Sequence, residues 1–388
     1  MASSDASSST WFDDLADARA IGRLADLAAA GGAISARGSV GSSTHMLAGA
    51  LHRRTSQPVL LTVAHLDDAD EAVDELSACG IEAVRFPAME LLPGETSVAL
   101  DLLSERLFLV QRLRAPSQDP PSVIVAPIQS LMQGVPDANM LRIIEPGSSL
   151  DIAEFTGWLD DCGYQRVETI EGPGEFSVRG GIIDVFPAGD EPARIDLFGD
   201  EVDSIAVIDL DSMGSDRRLD SLHLVGATVD QLQNQSTESF LDSLPETSIG
   251  LLSEIIELTE QGRSYFDRVA DSRGIFGPPR VFAAINKRCS AVIDVAQFSG
   301  GTAPDRAVDL PIQPLPAFDE GASVAVRELI ALSRECDVVV CCQNDGEASR
   351  MAELRDEALA EAESADQSGA SNGEATRDGG AGASNLTI

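Results

Sequence analysis

Lysine is all but missing from this chain. Lys287 is the only one, so arginine supplies the other 26 of the 27 basic residues, and 64 acidic residues leave a formal net charge of −37. Gripping duplex DNA through its phosphates takes a dense basic surface, and a chain this acidic excludes general nucleic-acid attraction. The surplus charge speaks to solubility and not to fold. The preference for arginine favours forked, geometrically fixed contacts with carboxylates or phosphates.

Aromatic residues are scarce too, at 4% against 43% hydrophobic residues, so sizeable cores are possible but must be aliphatic. No apolar run approaches the roughly 18 residues of a membrane span. The N-terminus, MASSDASSST, has neither a basic region nor an apolar one, so no secretory leader is visible. Six cysteines are scattered without a C-x-x-C pair or a histidine at zinc spacing, which fits reduced thiols in a cytoplasmic protein and no metal site. The four histidines lie in unrelated contexts, and no catalytic constellation is apparent.

A length of 388 residues implies two to four domains. Residues 1–10 read as a disordered lead and 11–31 as one amphipathic helix carrying Trp11, Phe12, Leu15, Ile21, Leu24 and Leu27. Strand and helix then alternate to about residue 130. Strands are expected at 33–37, 58–62, 83–86 and 122–126, and helices at 43–53, 67–79 and 98–113, the last with a stripe of Leu102, Leu103, Leu109, Val110 and Leu113. That alternation argues a mainly parallel α/β sheet.

Between about 131 and 213 the text changes. A helix at 151–162 precedes short Val-, Ile- and Phe-rich runs separated by Gly180-Gly181, Pro187-Ala188-Gly189 and Gly199-Asp200, the pattern of a compact antiparallel sheet. Arg194 and Asp196 are two apart and share a strand face, with Ile195 and Leu197 on the other; Arg179 shares its face with Ser177. From 214 to 320 α/β text returns, ending in a Pro-rich stretch at 303–318 expected to be a linker or extended surface segment. Residues 321–363 look like the start of an incomplete α/β domain, and 364–388 a disordered tail.

The turn after the first strand lies where a nucleotide-binding fold places its phosphate loop, G-x-x-x-x-G-K-[ST]. Registered on Gly38, with Gly41 inside the loop, this chain has Ser43 at the second glycine, Thr44 at the lysine and His45 at the hydroxyl. Without the cation that clamps the phosphates, ATP hydrolysis here is not expected.

The stretch GYQRVETIEGPGEFSVRGGIIDVFPAGDEPARIDLFGDEVDSI resembles the UvrB-homology module of the bacterial transcription-repair coupling factors, the Mfd family. RFPAMELLPGETSVALDLLSERLFLVQRL, the degraded loop GSVGSSTHMLAGAL and CQNDGEASRMAEL are similar to further segments of that family, and together they cover roughly residues 20–360. The resemblance implies a degenerate helicase-like domain 1 in two pieces, 11–130 and 214–320. It also implies a UvrB-like domain 2 inserted at 131–213 and the start of domain 3 at 321–363. It further implies that the N-terminal region recruits UvrA of nucleotide excision repair to RNA polymerase stalled at damage. ATP, Mg, the motor that moves on DNA and polymerase binding belong to parts of the family protein outside this stretch. The family's UvrA contacts carry over to Arg166, Arg179, Arg194 and Asp196. UvrB has a further arginine at the position of Ser177, so one charged contact is absent. The alternative is a fragment of a UvrB-type ATP-dependent repair enzyme.

Overall fold

A computed structural model describes residues 5–39, 41–89, 99–115, 118–135, 141–187, 190–226, 238–269, 274–298, 304–313, 315, 318, 321–340, 342, 344–369 and 386–387. It divides into a large unit, Phe12–Pro311, and a small one formed by Met1–Trp11 with Ile312–Ile388. The chain enters through α1 (Asp5–Ala16) and α2 (Arg19–Ala29). It then alternates β1 (Gly32–Arg37), α3 (Ser42–Thr55), β2 (Val59–Val63), α4 (Leu66–Ala78), β3 (Ala83–Arg85), α5 (Leu100–Arg114), β4 (Val123–Pro127) and α6 (Ile128–Met132). Next come β5 (Leu141–Ile144), α7 (Ile152–Asp161), β6 (Gln165–Arg166), β7 (Glu175–Arg179), β8 (Ile182–Phe186), β9 (Ala193–Phe198), β10 (Glu201–Asp209), β11 (Gly214–Arg218) and β12 (Leu222–Val225). The large unit closes with β13 (Ile249–Ser253), α8 (Ile255–Arg268), α9 (Pro278–Arg288), β14 (Ala291–Ala296) and β15 (Ala307–Asp309). The small unit holds α10 (Ala322–Leu332), β16 (Val338–Val339), α11 (Asp345–Gly369) and β17 (Leu386–Thr387).

Seven parallel strands form the first sheet in the order β15-β1-β14-β13-β2-β4-β3. Its central strands are covered on both faces, which is why β2 (VLLTV) and β4 (VIVAP) are buried at every position. One face packs Leu60, Ile124 and Leu252 against Leu103 and Val110 of α5, Leu258 of α8 and Ile285 of α9. Strands from before residue 128 and after residue 248 thus share one sheet.

The second sheet has six strands in the order β11-β10-β9-β8-β7-β6, antiparallel apart from the β6–β7 pair. Alternation sends Phe176, Ile183, Val185, Ala193 and Ile195 to one face, where they meet Phe155 and Leu159 of α7, Ile144 of β5, and Leu222 and Leu224 of β12. Asp151 caps α7, its Oδ1 accepting from the N–H groups of Ala153 and Glu154 at 2.8 and 2.9 Å.

Several sequence expectations need correction. Residues 5–10 are helical in α1; residues 1–4 lie outside the described residues. The single helix of 11–31 is two, because Ala18 is extended (ψ 141°) and redirects the chain so that Phe12, Ile21 and Leu24 are all buried. Leu131, Met132 and Val135 belong to the first core, so the antiparallel region starts later than 131. It also ends later than 213: β11 pairs with β10, and β12 enters the second core. The Pro-rich stretch is not all linker, since β15 pairs in register with β1 and buries Ala307 and Val308. Within the expected tail, α11 continues to Gly369, and Leu386 and Thr387 pair with β16; residues 370–385 lie outside the described residues.

Candidate interaction face

The outer face of the second sheet carries polar chemistry around one buried acid. In register, Asp184 of β8 lies between Ser177 of β7 and Arg194 of β9, and Arg179 lies opposite Ile182. Asp184 is fully buried. Arg194 donates to it with a fork, Nε to Oδ1 at 2.6 Å and Nη2 to Oδ2 at 2.9 Å, and Arg179 adds Nη2 to Oδ2 at 2.5 Å. Arg194 also donates from Nη1 to the Met213 carbonyl at 3.2 Å. The hydrogen bonds that Arg194 donates to Asp184 raise its pKa above the ordinary value, with a smaller contribution from nearby Asp196. A buried carboxylate is tolerable only when paired and hydrogen-bonded, and two guanidinium groups supply that here.

The two arginines are left in different states. Arg194 is 16% exposed at the side chain, its fork spent on Asp184, whereas Arg179 is 52% exposed and keeps most of its donors facing outward. Asp196, the acid that the sequence analysis selected, accepts from Ser204 Oγ at 3.2 Å. The acid that organises the arginines is Asp184, which a sequence reading passes over as one polar residue inside IIDVF. Arg166 is exposed but stands in register with the core residue Phe176. It therefore leaves the sheet on the opposite face, and the structure does not bring it together with Arg179, Arg194 and Asp196. The Ser177 Oγ is buried without a hydrogen-bond partner.

Sequence reasoning missed two apolar members of this face. Phe198, 84% exposed, follows Arg194 and Asp196 on alternate positions of β9, and Ile182, 37% exposed, precedes Asp184 on β8. Phe198 sits just before the Gly199-Asp200 turn, too short a context to show which way its ring points. Phe186, the last residue of β8, is half-buried. Gly180 adopts a left-handed φ of +65°, and a Cβ on Gly181 would come within 2.9 Å of the Leu197 carbonyl oxygen. The Gly-Gly pair therefore lets the hairpin carrying Arg179 lie close against β9.

The degenerate phosphate loop is filled by its own side chains; Val40 lies outside the described residues. Ser39 is buried, and its Oγ lies 2.9 Å from Ser43 Oγ and 3.1 Å from Thr44 Oγ1. Glu75 of α4 reaches the first turn of α3, accepting from Ser42 Oγ at 2.6 Å and pairing with His45 Nδ1 at 2.7 Å. A carboxylate thus stands at the helix N-terminus where a phosphate would be drawn. Gly38 is left-handed (φ +94°), and a Cβ there would lie 3.0 Å from the Leu310 carbonyl oxygen, so this glycine serves a close approach of chain. These residues do not fit ATP and magnesium. No group of three or more metal-ligating side chains occurs among the described residues. Nor is any described helix long and apolar enough to cross a membrane.

The chain thus combines a parallel α/β sheet with an antiparallel sheet that bears an arginine-and-phenylalanine face, and comparison with known proteins finds likenesses to both the module and the whole. Residues 143–229 match the family model of the UvrB interaction domain. The chain is 31% identical over 195 residues to the transcription-repair-coupling factor of Bacillus subtilis strain 168, covering 48% of this chain and 16% of that protein. Its identity to the factor of Escherichia coli strain K12 is 30% over 194 residues, 48% and 17% of the two chains, and to that of Staphylococcus aureus strain MRSA252 26% over 235 residues, 56% and 20%. The matched region spans no more than a fifth of each of these relatives. Over about half its length, then, the chain is similar to transcription-repair-coupling factors, the family that the sequence resembles.

Proposed function

We propose that this chain is the N-terminal part of a transcription-repair-coupling factor and recruits UvrA to RNA polymerase stalled at DNA damage. The observation that carries the reading is the coincidence of the UvrB interaction domain match with the arginine face: residues 143–229 contain Arg179, Ile182, Arg194, Asp196 and Phe198. In this reading Arg179 offers its free donors to an acidic patch of UvrA, and Phe198 and Ile182 supply apolar anchors beside it. Arg194 works through Asp184, holding the acid that orients Arg179. Arg166, on the opposite side of the sheet, takes no part in this surface.

The seven-stranded sheet is in this view a degenerate helicase-like domain 1, and the antiparallel region the domain 2 inserted into it. The segment hydrolyses no ATP: Thr44 stands for the lysine and Glu75 occupies the helix N-terminus. Translocation on DNA and polymerase release belong to the rest of the family protein. The test is capture of UvrA by the immobilised chain. Arg179→Glu and Phe198→Ala should each weaken capture at least tenfold, which is about 1.4 kcal/mol or more. Unaltered capture by both variants would refute the surface. DNA-stimulated ATP turnover by this chain would instead favour a UvrB-type enzyme fragment.

A further inference from the structure

A cleft of about 540 Å³ opens in the large unit between α9 and the short 3-10 helix Phe240–Ser243. Its size falls in the ordinary range of small-molecule sites. Positions 280, 284, 287 and 288 of α9 recur at helical spacing along one wall, placing Arg280, Lys287 and Arg288 around the small Ala284. The chain's one lysine is therefore set beside two arginines.

These cations are not committed as the others are. Across the molecule arginines such as Arg37, Arg53, Arg54, Arg85, Arg112 and Arg142 are matched with carboxylates. Among the described residues neither Arg280 nor Lys287 has an acidic partner within 4.0 Å. Arg280 lies with its guanidinium carbon 4.1 Å from the centre of the Phe276 ring, which holds its orientation. Arg288 donates from Nε to the Leu244 carbonyl at 2.6 Å and stands 3.4 Å from Glu246, a long contact.

The floor is apolar, with Phe276, Val281 and Cys289. Burial pushes the Cys289 thiol up to about 12, so it is a neutral surface and not a thiolate. The opposite wall carries Asp242 and Glu246. Three cations against two carboxylates leave a small positive balance inside a chain of net charge −37. The acids also shape selectivity, because a long polyanion entering the cleft would meet both of them.

We propose that this cleft binds a small organic anion, its carboxylate or phosphate held by Arg280, Lys287 and Arg288 and its apolar body resting on Phe276, Val281 and Cys289. Lysine acts as a point charge on the anion and arginine as a fork, the usual division of labour in anion recognition. The site lies on the first sheet's helices and does not depend on the UvrA reading.

The test is calorimetric titration of the full chain with four probes: phenyl phosphate, benzoate, inorganic phosphate and benzyl alcohol. One of the first two should saturate at a dissociation constant of about 1 mM or below, and which of them binds tighter tells phosphate from carboxylate. Inorganic phosphate should bind more weakly, and benzyl alcohol not at all. Arg280→Glu and Lys287→Glu should each weaken the better ligand about tenfold or more, and Asp242→Asn should tighten it about two- to threefold, by removing a like charge. Arg23→Glu, at an exposed position of α2, should change nothing, and urea midpoints of all four variants show that they fold. No saturable binding of either aromatic anion by about 20 mM, affinity unchanged from the parent chain in the two Glu variants, or weaker binding by Asp242→Asn would each overturn the proposal.

Discussion

Asp184 and Arg106 show how much can rest on single buried charges. Removing one partner of a buried pair typically costs about 3–5 kcal/mol. Asp184→Asn leaves two guanidinium groups facing a neutral amide, so a loss of about that size is expected in urea denaturation. Arg106 of α5 is fully buried and donates to the carbonyls of Pro87, Ser130, Gln133 and Gly134, at 2.6, 3.3, 2.9 and 3.3 Å. It also stacks over Phe86, 4.1 Å from the ring centre. Burial pushes its pKa down to about 9, which keeps it charged at neutral pH. Arg106→Lys cannot reach four carbonyls and should destabilise by about 3 kcal/mol. Asp294 on β14 offers a test in pH. Burial, aided by Glu254, raises its pKa from the ordinary 3.8, and its Oδ1 has no partner. Between the unfolded and the raised value the folded state holds more protons, so stability falls as pH rises through that window. Asp294→Asn should therefore raise the urea midpoint at pH 7, with the gain shrinking as pH falls toward 3.8. None of these residues was legible beforehand. Arg106 lies on the stripe that buries Leu103, Leu109 and Val110, but an arginine is ordinarily assigned to the wet side of a helix.

Elements were far more legible than charges. Strands β1 to β4 and helices α3 to α5 fall within about two residues of their expected positions, the usual reach of pattern and cap signals. Strand β2 is apolar throughout and α4 opens with Asp67 and Asp68, so local and global preferences agree. The failures occur where they do not. Strand β11 reads GSDRR, with every residue from Ser215 to Arg218 exposed; an edge strand without an apolar face has no period-two signal. Strand β15 is three residues long amid prolines, and only its pairing with β1 makes it a strand. The same neighbourhood yields a prediction. Gly38→Ala places a Cβ 3.0 Å from the Leu310 oxygen at a φ of +94°, so a cost of about 1–3 kcal/mol is expected in thermal or urea unfolding.

On the scale of the whole molecule, charge and topology act separately. Most arginines are already matched, so the surplus behind the net charge of −37 faces water and repels itself. Raising the salt from about 0.05 to 1 M shortens the screening length to about 3 Å, and the urea midpoint should rise with it. A fall would show that the surface pairs matter more than the repulsion. The acidic excess and the α/β alternation were plain from composition and pattern. The order of strands was not, because nothing local to residues 249–296 says that they belong between residues 37 and 59.

That interleaving has a consequence for synthesis. Strands β13 and β14 separate β1 from β2, and β15 forms the edge beyond β1, so the seven-stranded sheet cannot close until residue 309 has left the ribosome. The antiparallel region, with its own core between Ile144 and Leu224, is complete some 85 residues sooner and pairs mainly with near neighbours. The middle of the protein should thus become protease-resistant while the amino end is still waiting for its partners. Nascent chains arrested near residue 260 would reveal that order.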